Sequence, residues 1–169
     1  MKSILLTLSL ILLFLTSEAQ KDKSFKFEKL IFHTTGCFGT CPTYNLEINK
    51  NKKVKLFTSQ FYAELKKPLY IPTIDSSKMG YFRGSINATT YKNLIKILHA
   101  SDIDSLSFDS SAMCCDGSVK TIIVYYNGKR KYLTSMFPPD KADNLINALY
   151  AICRDSNLKK TTKKFKIED

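Results

Sequence analysis

Residues 119–136 read VKTIIVYYNGKRKYLTSM, and this stretch decides the fold class. Val119 to Tyr126 is β-branched and aromatic, Lys129 to Met136 returns, and Asn127-Gly128 lies between them. That dipeptide suits a type I′ turn, whose two central residues both need positive φ, so the stretch predicts an antiparallel hairpin. Upstream, Tyr44, Leu46 and Ile48 alternate with Thr43, Asn45 and Glu47, and Val54, Leu56 and Thr58 continue the pattern after the polar turn Asn49 to Lys52. Period two marks a half-buried strand, and a second hairpin is predicted here. Phe25 to Phe32 (FKFEKLIF) reads as a first strand with imperfect alternation. Phe61 to Asp75 carries Pro68 and Pro72 and reads as an irregular excursion or broken edge strand, with Tyr81 to Ile86 returning to the sheet.

Helical spacing follows each strand set. Tyr91, Leu94, Ile95 and Leu98 fall at i, i+3, i+4 and i+7 between Asn87 and Ala100, with Asn87 as N-cap. Ile103 to Phe108 reads as a short extended segment, and Asp109 to Gly117 as a loop. After Pro138-Pro139, Ala142, Leu145, Ile146, Leu149, Ile152 and Cys153 line one face of a second helix. Asn93-Leu94-Ile95, Leu98 and Ala100 recur 51 residues later as Asn144-Leu145-Ile146, Leu149 and Ala151. The expected fold is α+β: an antiparallel sheet built from two hairpin-helix units with both helices packed on one face.

The ends set the expected compartment. Lys2, the apolar run Ile4 to Leu15, and the small residues Ser17 and Ala19 form a signal-peptide pattern over residues 1–19, with cleavage expected before Gln20. The apolar run is shorter than the ~20 residues of a spanning helix, so no membrane span is expected after cleavage. Gln20, not a cysteine, stands immediately after the expected cleavage site, so the pattern lacks a lipoprotein anchor point. Residues 20–157 form the expected single domain. Residues 158–169 carry Lys159, Lys160, Lys163, Lys164 and Lys166 with little apolar content, which predicts a flexible basic tail. The predicted location is periplasmic or secreted.

The five cysteines, Cys37, Cys41, Cys114, Cys115 and Cys153, all follow residue 19, and export would place them where disulfides persist. The densest stretch is Gly36-Cys37-Phe38-Gly39-Thr40-Cys41-Pro42-Thr43-Tyr44, at the entrance to a strand. Cys37 with Cys41 would close a small loop, Gly39 would supply φ freedom and Pro42 would launch the strand. Gly36, Phe38, Gly39, Thr40, Pro42 and Tyr44 then form a candidate binding loop. The alternative is a thiol-disulfide redox pair, although three residues separate Cys37 from Cys41 where the thioredoxin-type motif has two. Cys153 is expected to pair with Cys114 or Cys115. The rival is a vicinal Cys114-Cys115 bridge with Cys153 as a buried free thiol.

Gly36, Cys37, Gly39, Cys41, Pro42 and Tyr44 match a Gly-Cys-x-Gly-x-Cys-Pro-x-Tyr motif, and in this the chain resembles an uncharacterised family of exported bacterial proteins. The resemblance runs from about Leu30 to Cys153 through the order hairpin, helix, hairpin, helix. It departs at Met113-Cys114-Cys115-Asp116, where the family usually has a tyrosine followed by Thr-Asp. It implies a domain and no activity.

No nucleophile-elbow serine, His-Glu-x-x-His helix or phosphate-cradling glycine loop occurs, so no catalytic residue is assigned. His33, Cys37, Cys41, Cys114 and Cys115 lack paired Cys-x-x-Cys knuckles, and Asp102, Asp104, Asp109 and Asp116 lack a calcium-loop pattern. Neither metal nor cofactor is expected. The net charge of +11 is diffuse. Should both hairpins share a sheet edge, Lys53, Lys55, Lys129, Arg130 and Lys131 would form one basic face. The expected function is a non-enzymatic binding module of the cell envelope whose partner is an anionic envelope component or another exported protein. No nucleic-acid motif is visible.

Overall fold

A computed structural model describes residues 25–62, 73–111 and 115–169; residues 1–19, expected to be a signal peptide, and most of the Phe61–Asp75 excursion lie outside them. The strands are β1 (Phe27–Thr34), β2 (Thr43–Asn49), β3 (Lys53–Gln60), β4 (Gly80–Ser85), β5 (Lys120–Tyr126), β6 (Lys129–Ser135) and β7 (Lys159–Thr161). Helix α1 (Ala88–Ala100) follows β4 and α2 (Asp143–Cys153) follows β6. The strands form one sheet in the order β6-β5-β1-β2-β3-β4-β7, with every neighbouring pair antiparallel. The fold is therefore α+β with a mostly antiparallel architecture. The element order places four strands, rather than one hairpin, before the first helix.

Local chemistry explains the element ends. Asn127 and Gly128 take φ of 52° and 71°, as a type I′ turn requires, and β5 pairs with β6 down to Tyr126↔Lys129. The Asn87 side chain accepts from the Thr90 backbone N–H at 2.8 Å, capping α1. Asp102 adopts φ of 47° just past α1, and its carbonyl accepts from Ser105 and Leu106 N–H. This turn replaces the extended segment expected from Ile103 onward, and Ile103 and Leu106 are nevertheless buried.

Register sorts the side chains by face. Leu30 and Phe32 of β1 stand opposite Ile48 and Leu46 on one side and Val124 and Ile122 on the other. Leu46 and Ile48 in turn face Leu56 and Val54. These residues share one core with Leu94 and Leu98 of α1 and with Leu145, Leu149 and Ile152 of α2. Ile31 and Ile123, of opposite parity, are also fully buried, in a second cluster with Ile167.

That second cluster corrects the expectation of a flexible basic tail. After β7 pairs with β4, Phe165 packs edge-on against Tyr81 at 5.0 Å and lies under the Arg83 guanidinium. Ile167 is 7% exposed, against Ile31 and Ile123. Glu168 bonds Lys29 at 2.8 Å, lies 3.3 Å from Arg130 and accepts from the Tyr125 hydroxyl, while its carbonyl accepts from the His33 ring at 2.7 Å. The lysines read as a solvated end, but Phe165 and Ile167 alternate with them and supply the apolar contacts that order it.

Candidate functional site

The loop between β1 and β2 is tied at both ends. Thr34 Oγ donates to the Pro42 carbonyl and accepts from Tyr44 N–H, each at 2.9 Å. Thr35 exchanges backbone and side-chain bonds with Val119, and Ser118 Oγ donates to the Thr35 carbonyl at 2.6 Å. Cys37 and Cys41 are joined by a disulfide across this loop. Phe38, held between them, is 89% exposed. Gly39 does not use the positive φ expected of it, and a Cβ there would meet only Cys37 Sγ, at an ordinary 3.6 Å. Gly36 is the tighter position, since its Cβ would come within 3.0 Å of Gln60 Oε1.

Below the loop, Tyr44 and Thr58 occupy neighbouring places on β2 and β3, where the register shifts between Thr43 and Asn45. Both are 1% exposed. Tyr44 packs edge-on against Tyr150 at 5.9 Å and against Phe61 at 6.3 Å. Its hydroxyl and that of Thr58 are buried with no hydrogen-bond partner among the described residues. Both line a cavity of about 270 Å³ together with Phe61, Lys78, Cys153 and Arg154. A second cavity, of about 430 Å³, is lined by Thr40, Pro42, Tyr62 and Asp75 and shares Phe61, Lys78 and Arg154 with the first. The motif residues thus wall two adjoining cavities, Tyr44 the first and Thr40 and Pro42 the second.

Burial pushes the Tyr44 phenol above its ordinary pKa, opposed by the Arg154 guanidinium, which is near but outside hydrogen-bonding geometry. Cys153 is a free buried thiol, pushed well above the thiol range by burial. The expected bridge from Cys153 to the Cys114-Cys115 loop is therefore not formed: its side chain is packed in the larger core, as the rival pairing requires of it. Cys114 lies outside the described residues.

The expected basic face is not assembled. β6 is one edge of the sheet, whereas β3 is interior, with β4 and β7 beyond it. Lys129 and Lys131 stand opposite Tyr126 and Val124, which belong to the larger core, while Arg130 stands opposite Tyr125, which packs against the second cluster. Lys55 pairs with Glu47 at 2.7 Å, Lys129 with Asp104 at 3.1 Å, and Lys131 donates to the Asp104 carbonyl. Lys53 flanks Lys55 on β3. Sequence reasoning missed Thr58, Phe61, Lys78 and Arg154, whose convergence depends on tertiary packing. No described helix is long and apolar enough to cross a membrane.

A family model for a domain of unknown function, DUF6438, matches residues 28–153. No curated protein matches the chain.

Proposed function

The chain belongs to the DUF6438 family, and from that premise we propose that it is an exported, non-enzymatic binding module of the cell envelope that docks its partner through the loop end of the sheet. The observation that carries this reading is Phe38, 89% exposed on a disulfide-closed loop beside a cleft walled by the same motif. An aromatic side chain on a preorganised loop contributes contact area at low ordering cost. On this reading the two helices form a layer on one sheet face and serve as scaffold, each completing a strand-helix unit. The partner is an anionic envelope component or another exported protein, met in the periplasm or outside the cell.

The test is affinity capture from envelope extract, comparing the exported chain with its Phe38→Ser variant. A component retained by the first and lost with the second, at equal thermal stability, supports docking through Phe38. Equal retention by both removes it. The redox alternative using Cys37 and Cys41 is separated by glutathione: a structural bridge resists it and a catalytic pair exchanges readily.

A further inference from the structure

We propose that the cavity floored by Tyr44 and Thr58 is a binding site for a small carboxylate with an apolar body. This names a ligand for the same loop end and rests on the reading of the chain as a binding module. Two buried hydroxyls without partners are costly in a folded protein, and here both belong to residues that line one cavity. Those residues occupy neighbouring places on adjacent strands. Leu56 and Phe82 give the cavity an apolar wall.

Charge selects the sign of the ligand. Lys78 and Arg154 line both cavities, against Asp155 in the inner one and Asp75 in the outer. Asp155 accepts from Asn157 N–H at 2.8 Å, and Asp75 accepts from Ser77 N–H and Oγ, so each carboxylate is engaged in its own turn. The two cations therefore outnumber the carboxylate in either cavity, and the hydroxyl donors beneath add to an anion-accepting set. Apolar wall, hydroxyl floor and cationic rim together fit a carboxylate at one end of an aromatic or aliphatic group.

The test follows backbone amide shifts of the exported chain titrated with 3-phenylpropanoate and, in parallel, its neutral amide. Saturable shifts at Thr58 and Arg154 with the carboxylate alone are expected. Tyr44→Phe, Thr58→Val and Arg154→Gln should each weaken binding by about tenfold, the worth of a hydrogen bond to a charged group. The first two should leave the thermal midpoint unchanged or higher, since each removes an unpartnered hydroxyl. An N-acetylated peptide ending in free phenylalanine, compared with its amide, tells a chain terminus from a free acid as the source: tighter binding than 3-phenylpropanoate assigns the terminus. No saturable shift at millimolar carboxylate, or equal shifts with the amide, overturns the proposal and leaves an ordered water as the partner of both hydroxyls. Such a failure with Phe38-dependent capture intact removes this ligand class alone. Carboxylate binding without Phe38-dependent capture supports the site and removes only the docking surface.

Discussion

Cys153 stands at the end of α2 among apolar side chains, and two properties follow from that position. Its thiol is shielded from reagent, and burial raises its pKa so that little reactive thiolate exists at neutral pH. Native alkylation at about pH 8 should leave Cys153 unmodified until denaturant is added, although an ordinary thiol is substantially ionised there. Site-resolved peptide mass analysis checks this, and rapid native labelling would show that the helix end opens. Cys37 and Cys41 behave differently, because their bridge spans a separation of four residues. Closing so short a loop removes little chain entropy, on the order of 2 kcal/mol. Treatment with a phosphine reductant should therefore lower the thermal midpoint while the far-ultraviolet signal of the sheet persists. Loss of that signal would make the bridge a requirement for folding.

At the scale of elements, the C-terminal segment from β7 to Glu168 crosses the sheet from β4 to β1 and β5 and is fastened by one carboxylate. The hydrogen bond from Lys29, then that from Tyr125, hold the Glu168 carboxyl down at about 2, below its ordinary 4.5. A depressed carboxyl pKa contributes stability that is fully present above the unfolded value and is lost as pH falls through the folded one. The stability difference between the native chain and Glu168→Gln should thus hold from neutral pH to about 4.5 and vanish towards about 2. Urea unfolding at several pH values measures it, and a pH-independent difference would place the effect in packing instead. The segment's place was partly legible in the sequence. Leu30-Ile31-Phe32 and Ile122-Ile123-Val124 are unbroken apolar triplets inside strands, and such runs mark strands covered on both faces. The imperfect alternation of the first strand was this signal, whereas the hairpin at Asn127-Gly128, the Asn87 cap and both helical stripes were readable because their determinants are local. The cleft was not readable beyond its motif wall, because β2, the β3-β4 connection and the end of α2 meet only in the folded chain.

The whole molecule has two apolar layers of unequal weight. Among the described residues, the larger core joins six strands to both helices, whereas the second cluster holds Ile31, Ile123 and Ile167, with Tyr125 and Phe165 packed against them. Truncation after Thr161 should therefore leave the sheet and helices folded while uncovering Ile31 and Ile123 in its middle. Burying aliphatic side chains of this kind is worth about 1.5–3 kcal/mol each, which a small domain of marginal stability can lose in part and still fold. An uncovered patch that continues into Tyr125 and into the tilted ring pair Phe57–Tyr81, whose centroids lie 4.6 Å apart, exceeds the scattered apolar exposure of a monomer and favours self-association. The truncated chain is expected to keep its circular dichroism, bind an apolar dye and elute from size exclusion with a concentration-dependent mass. Ile167→Asp tests the same layer without shortening the chain, since it places a carboxylate against Ile31 and Ile123 while retaining β7 and its pairing with β4. Global unfolding of that variant would show that the smaller cluster is part of the cooperative core, whereas a folded, dye-binding product would show that the larger core suffices to hold the sheet.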